Sequence, residues 1–392
     1  MLAILVFILI LGLLVFVHEA GHCIAAKRAG MGVEEFGFGF PPRLIGVQRV
    51  SGKWRMVRGG GSSRKPSTIN HQPPTIYSLN WIPLGGFVRI TGESGGDADD
   101  PRSFAAKPRW QRAIVLVAGV AMNLVLAIVL FTAVYSLGAP QVIDDLPPGA
   151  TIRDRRTSII GVLRDGPAAG AGVQSGDAIT AIDGESFTDI RGVQQYIGAH
   201  ADQDLRITVD RNGQSREFTL RPAPLPGVER PGIGVQLVEV GTVRFPLHLA
   251  AWQGVRATGF VIAEILRALG GLVRGLVVER AVTVDVVGPV GIAVMTGQVV
   301  SLGFVHLLQF TAVLSANLAL LNVFPFPALD GGRLFILLIE AIRRRSIGKR
   351  IENAIHAAGF ALLLLLVVAV TYHDIAQFGG SIMSSLRSTV GF

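Results

Sequence analysis

Four long apolar runs set the terms for this 392-residue chain. Residues 1–17 hold no charged and no strongly polar side chain. Residues 113–137 are 25 positions without a charge, and Asn123 is the most polar of them. Residues 302–326 are also uncharged but hold His306, Gln309, Asn317 and Asn322, and residues 354–372 contain an apolar run over 362–370. About 20 apolar residues make a helix long enough to cross a bilayer. Spans are therefore expected at 1–26, 113–137, 302–332 and 354–373. The first reaches that length only if its helix continues through His18, Glu19 and His22. Composition agrees, because only 16% of the residues are charged, against about 25% in a soluble domain. High hydrophobicity excludes a disordered chain. A single cysteine, Cys23, excludes a disulfide scaffold and a thiolate metal cage, and it reads as a buried structural thiol. The 48 glycines follow no three-residue period, which excludes collagen.

The formal charge of +8 is distributed unevenly. Residues 27–112 carry 14 Lys/Arg against 6 Asp/Glu, and five of the eight residues 343–350 are basic. Residues 139–244 carry 11 Arg against 14 Asp/Glu. Basic loops stay in the cytoplasm, so 139–301 and both termini are expected outside. The partner implied by the charge is then the lipid bilayer, not nucleic acid. A signal-peptide reading of 1–17 lacks its basic start and its A-x-A end, since no Lys or Arg precedes Lys27. Residues 245–276 are apolar but interrupted by Arg256, Glu264, Arg267 and Arg274. Segment 245–301 is therefore expected to lie on the outer membrane surface as an amphipathic stretch, because a fifth span would break the charge pattern.

His18-Glu19-Ala20-Gly21-His22 fits H-E-x-x-H. Residues four apart share one helix face, which aims both imidazoles at one ion. Zinc takes two histidine nitrogens and a third protein ligand, leaving a position for water. Glu19 is placed to act as the base. Ionisable groups beside an apolar run cost about 2.5–3.5 kcal/mol each on insertion, and a shared metal compensates three of them together. A third ligand has to come from the same membrane depth. Asp330, in Ala328-Leu329-Asp330-Gly331-Gly332, stands at the cytoplasmic end of the third span and meets that condition. Its alternative reading is a helix N-cap. Pro325 and Pro327 break the span just before it, and Asn317 and Asn322 upstream read as contacts to an extended substrate or as interhelical hydrogen bonds.

Together these residues resemble the site-2 protease family, in its bacterial regulator-of-sigma-E protease branch. The resemblance rests on residues 17–22 (VHEAGH), 37–42 (GFGFPP), 80–88 (NWIPLGGFV), 288–291 (GPVG) and 322–332 (NVFPFPALDGG). It implies an intramembrane zinc metalloprotease of the bacterial inner membrane that cuts transmembrane segments of single-span proteins. An anti-sigma factor or remnant signal peptides would suit as substrates. It implies His18, His22 and Asp330 as zinc ligands, Glu19 as catalytic base, and Asn317 and Asn322 as substrate-handling positions. Residues 77–91 read as a β-hairpin or loop; by the resemblance they form a re-entrant β-structure, with Gly85 and Gly86 close to the substrate. Two departures stand out. Ala20 replaces the Phe of many members, and 52–74 reads as a flexible cytoplasmic insertion in which His71 is solvated.

Residues 157–222 read as one PDZ domain. A strand over 158–163, a helix over 189–199 and a hairpin at Asn212-Gly213 carry this reading. Such domains bind an extended peptide at a sheet edge; the alternative is a steric gate. The fold expected is thus a polytopic α-helical membrane protein with four transmembrane helices, a membrane-associated β-hairpin region and one extracytoplasmic PDZ (α/β) domain. The competing functions are a proteolytically inactive PDZ membrane adaptor and a metal-dependent transporter.

Overall fold

The computed structural model describes residues 2–58, 74–93, 99–143, 146–187, 189–211, 213–225, 231–275, 278, 287–345 and 347–390. The chain divides into two compact units, Met1–Phe131 with Gln253–Phe392, and Thr132–Trp252.

The first unit is mainly helical. Helix α1 (Leu2–Arg28) runs unbroken through the HExxH residues and ends on Lys27 and Arg28, cations that suit the negative end of the helix dipole. The strands β1 (Val33–Val50), β2 (Lys53–Val57) and β3 (Ile76–Ile90) follow, then α2 (Arg109–Leu137). Four helices among the described residues are long and apolar enough to cross a membrane: Leu2–Arg28, Arg109–Leu137, Phe304–Val323 and Arg350–Gln377. They coincide with the four expected spans, though each departs from the expected bounds. The third helix stops at Val323, not at 332, because Pro325 and Pro327 cannot continue it. The fourth extends well past both ends of 354–373. Cys23 is buried among Ala26, Val115 and Leu116, as a structural thiol should be.

The sheet differs from the expected hairpin. β3 does not pair with itself. Its two arms lie on either side of the first half of β1: Phe36 is opposite both Val88 and Tyr77, and Phe38 is opposite both Gly86 and Leu79. The second half of β1 then returns along the first arm of β3, with Arg43 opposite Asn80 and Gln48 opposite Ile76. A buried pair clamps this fold-back, since Arg43 donates from Nε and Nη2 to the two Glu35 carboxylate oxygens at 2.9 and 2.6 Å. The insertion is corrected as well: its start forms β2, in register with β1 from Gly46–Val57 to Val50–Lys53. His71 and the rest of 59–73 fall outside the described residues.

Among its described residues, the second unit is built on a seven-stranded sheet with two short helices beside it. Its strands are β4 (Ala139–Val142), β5 (Thr151–Val162), β6 (Ala178–Ile182), β7 (Glu185–Ser186), β8 (Leu205–Arg211), β9 (Gln214–Leu220) and β10 (Val235–Arg244). The order is β4-β10-β5-β6-β8-β9, with β7 beside β6. Helix α3 spans Pro167–Ala171, and α4 spans Ile190–Ala199 with Asp189 as its N-cap, accepting from the Gly192 N–H at 2.7 Å. Arg211 opposite Gln214, with Gly213 at φ +78°, confirms the tight turn expected between these strands. The bounds 157–222 are too narrow. Ile233 belongs to the core with Ile159, Ile179 and Val209, and β10 pairs along β5. Strand pairing at such separation leaves no local trace in a sequence.

Segment 245–301 also needs correction, for it is not a single surface stretch. α5 (Leu247–Arg274) is a long helix with charges along it. α6 (Pro289–Leu302) is apolar and is capped by Asp374 of the last helix, whose buried carboxylate accepts from the Gly288 and Gly291 N–H groups at 3.1 and 2.7 Å. The remaining helices are α7 (Phe304–Val323), α8 (Asp330–Arg343) and α9 (Lys349–Val390).

Asp177 ties the second unit together. It is 1% exposed and receives Arg211 Nε and Nη2 at 2.6 and 2.7 Å. The guanidinium holds this carboxyl below its ordinary range. A depressed value means that the ion pair stabilises fully above about pH 4 and weakens as the pH falls through the folded value. Arg211→Leu leaves a buried charge alone and is expected to cost on the order of 3 kcal/mol at pH 7. The stability gap between wild type and Asp177→Asn should close below about pH 4. Hydrogen exchange of the β6 and β8 amides in the full chain measures both; a gap unchanged from pH 7 to 3 contradicts the assignment.

Candidate metal centre

The helical unit brings His18, His22 and Asp330 together. His18 Nε2 lies 2.8 Å from Asp330 Oδ2, His22 Nε2 lies 3.3 Å from the same oxygen, and the two Nε2 atoms are 3.1 Å apart. These ligand atoms all fall within 4.8 Å of one another. Both imidazole side chains are 8% exposed and the carboxylate 21%, so the cluster is reached from the Asp330 side.

α2 backs the two rings. Val115, Gly119 and Asn123 recur every four residues and so share one face. The Val115 carbonyl accepts from His22 Nδ1 at 2.7 Å, which leaves the Nε2 lone pair of that ring for a metal. A Cβ at Gly119 would sit 2.4 Å from His22 Nε2 and 2.9 Å from His18 Cε1, so the glycine clears the space the rings occupy. Gly21 lets the helices approach, because a Cβ there would lie 2.3 Å from the Ala118 carbonyl oxygen. Asn123 faces His18 Nδ1 at 3.3 Å.

Asp330 arrives from a break between two helices. α7 ends at Val323, and α8 begins at Asp330 with Leu329 as its N-cap. The N-cap reading of Asp330 therefore fails; its carboxylate points at the histidines. The break folds tightly on itself. A Cβ on Gly331 would meet the Val323 and Phe324 carbonyl oxygens at 2.2 Å, and one on Gly332 would meet the Phe326 oxygen at 2.3 Å. This is the physical reason for two glycines after the aspartate. α9 supports the turn, with His356 Nδ1 accepting from the Ala328 N–H at 3.1 Å.

The donor set fits zinc. Two neutral imidazole nitrogens and one carboxylate oxygen are three protein ligands of the kind that leave a fourth position for water in catalytic zinc sites. The space that a Cβ on Gly119 would fill agrees with this.

Glu19 stands one residue from His18, and its Oε2 accepts from the Val88 N–H of β3 at 3.0 Å. Gly85, at φ +116°, and Gly86 pack on α1 beside Val15 and Phe16. Their absent side chains bring the sheet up to the helix that carries Glu19. Asn317 and Asn322 lie half-buried on α7, the helix that leads into the Asp330 turn. Sequence reasoning missed Val115, Gly119 and Asn123. Their four-residue spacing in an apolar span, with its most polar member at 123, was the available signal.

Comparison with known proteins gives the family. The model of peptidase family M50 matches residues 6–60 and 67–366. Zinc metalloprotease RasP of Geobacillus kaustophilus is 30% identical, over 96% of this chain and 98% of its own. RasP of Oceanobacillus iheyensis is 31% identical, over 96% and 99%. Among solved structures, the PDZ domain of an SdrC-like protein from Listeria innocua aligns with 21% of this chain and 92% of its own, at 28% identity and a TM-score of 0.20. With a family match along most of its length and relatives that align end to end, this chain belongs to peptidase family M50.

Proposed function

We propose that this chain, a zinc metalloendopeptidase of its family, cuts the membrane-spanning segments of single-span proteins inside the bilayer. One observation carries the reading: a helix apolar enough to span a membrane holds two histidines that converge with Asp330 and a glutamate beside them. Orphaned in lipid, such groups would be costly; around an ion they form a hydrolytic site. His18, His22 and Asp330 would hold the zinc, which supplies Lewis acidity and a water acidic enough to ionise near neutral pH. Glu19, fixed by the Val88 N–H, takes a proton from the attacking water and returns it to the leaving amine.

The substrate enters as an extended strand. A helical segment keeps its amides bonded internally, so it has to unwind before a carbonyl is reachable. The second arm of β3, which pairs with β1, offers an edge beside Glu19 on which an unwound segment can be held by strand addition. Gly85 and Gly86 set the approach of that arm to α1, and Asn317 and Asn322 contact the substrate backbone from α7. The basic loops support a site near the cytoplasmic face of a bacterial inner membrane, with both termini and the strand-rich unit outside. Anti-sigma-factor-like proteins and remnant signal peptides fit as substrates.

Zinc and cleavage separate the roles. Glu19→Gln is expected to keep about one zinc per chain but lose cleavage of a model transmembrane substrate by about 100-fold or more. His22→Phe, Gly119→Ala and treatment with a chelator should each lower zinc content and cleavage together. Metal analysis of detergent-purified protein beside a cleavage assay decides. Full cleavage by Glu19→Gln, or by zinc-free wild type, would sink the mechanism.

The strand-rich unit, read as a PDZ domain, would act as a size filter that keeps bulky outer domains from the site. Ala139 pairs with Val243, so a short linker can replace residues 139–244 without stretching the chain. Excision should let substrates with large outer domains be cut at rates near those of truncated ones. An unchanged preference for truncated substrates counts against the filter.

A further inference from the structure

Asn123 is fully buried at the centre of α2. Its Nδ2 lies 3.3 Å from His18 Nδ1, and its Oδ1 is buried with no hydrogen-bond partner. A carbonyl and an amide nitrogen are nearly alike in shape, so which end of the amide faces the ring follows from the hydrogen-bond network. In either orientation one end of this amide lacks a partner. The metal decides between them. His18 can offer Nε2 to an ion only if its proton sits on Nδ1, and an Nδ1–H needs an acceptor. His22 already has one in the Val115 carbonyl. Two turns further along the same face of α2, the only group at His18 Nδ1 among the described residues is the Asn123 side chain.

We infer that Asn123 is a positioning residue that turns its side-chain carbonyl to His18 Nδ1–H and thereby fixes this ring as a zinc ligand. A backbone carbonyl and a side-chain carbonyl on one helix face would then set the tautomers of both histidines. Asn123 touches neither substrate nor the reacting atoms. Its side chain is also free of the interhelical bond at this position, because Ser315 donates to the Asn123 backbone carbonyl at 2.8 Å. This inference rests on the zinc reading above.

The test is zinc binding by the full-length protein in detergent, using a competing chromophoric chelator, with Asn123→Leu, Asn123→Ala and Asn123→Asp. Leu and Ala remove the acceptor and should weaken zinc binding about 10–100-fold. Asp keeps an oxygen at that place and should stay within about threefold of wild type. The visible spectrum of the Co²⁺ form should shift with Leu or Ala and be restored with Asp, a signature that a purely structural role would not produce. Equal affinity in all four proteins overturns the inference, as does an Asp variant as weak as Ala. If Leu fails to fold, Ala against Asp still decides. Wild type that binds no zinc would instead refute the zinc reading itself, a result distinct from wild type and variants that bind alike.

Discussion

The helical unit depends on satisfying two imidazoles and a carboxylate that sit among apolar helices. Each would cost a few kcal/mol if orphaned in hydrocarbon. Here they face one another through Nε2 and Oδ2, at 2.8 to 3.3 Å. The outward ring nitrogens then need partners as well, and α2 provides them. That requires α1 and α2 to approach more closely than side chains usually allow, since packed helices sit about 8–10 Å apart according to the residues between them. Gly21 on one helix and Gly119 on the other remove the obstruction. Glycine inside a helix costs about 1 kcal/mol, and the ligand geometry offsets that cost.

The same constraint explains the break before Asp330. A continuous helix could carry an aspartate here but could not turn it back onto α1. Pro325 and Pro327 end α7, and the freed backbone groups find partners inside the protein: Ala328 N–H donates to His356, and Leu329 N–H to the Phe326 carbonyl. Irregular backbone at membrane depth survives only under such internal pairing. Gly331 and Gly332 leave room for the carbonyls of the break, and Gly359 on α9 lies against Pro327, where a Cβ would come within 2.3 Å.

Local patterns were legible in the sequence and distant pairings were not. The four apolar runs, the HExxH face, the Asp330 turn and the hairpin around Gly213 each depend on neighbours within a few residues, so period and turn chemistry reveal them. The sheet does not work that way. β1 and β3 each double back, and Phe36 is held by residues 41 and 52 positions away. No alternation in 77–91 could distinguish that from a hairpin. β10 was missed for the same reason, lying across a long connection from the strand it joins. α6 was misplaced because its apolar sequence does not say which helix it packs on, and its Asp374 cap comes from α9. At the centre itself, the cluster of His18, His22 and Asp330 follows from residue type and spacing. The groups beside them are legible only through the four-residue spacing of one α2 face, because a backbone carbonyl such as that of Val115 has no signature of its own.

One turn of α1 divides its work between two neighbours. His18 and His22 share a face and are served by α2, whereas Glu19 lies about 100° around the helix and is held by the β3 backbone at Val88. The two imidazoles and Glu19 are thus positioned by separate elements. A shift of the sheet would move the amide that holds Glu19 while the contacts to both imidazoles stay on α2. Holding Glu19 from the sheet and both imidazoles from α2 would let the carboxylate move without disturbing the rings.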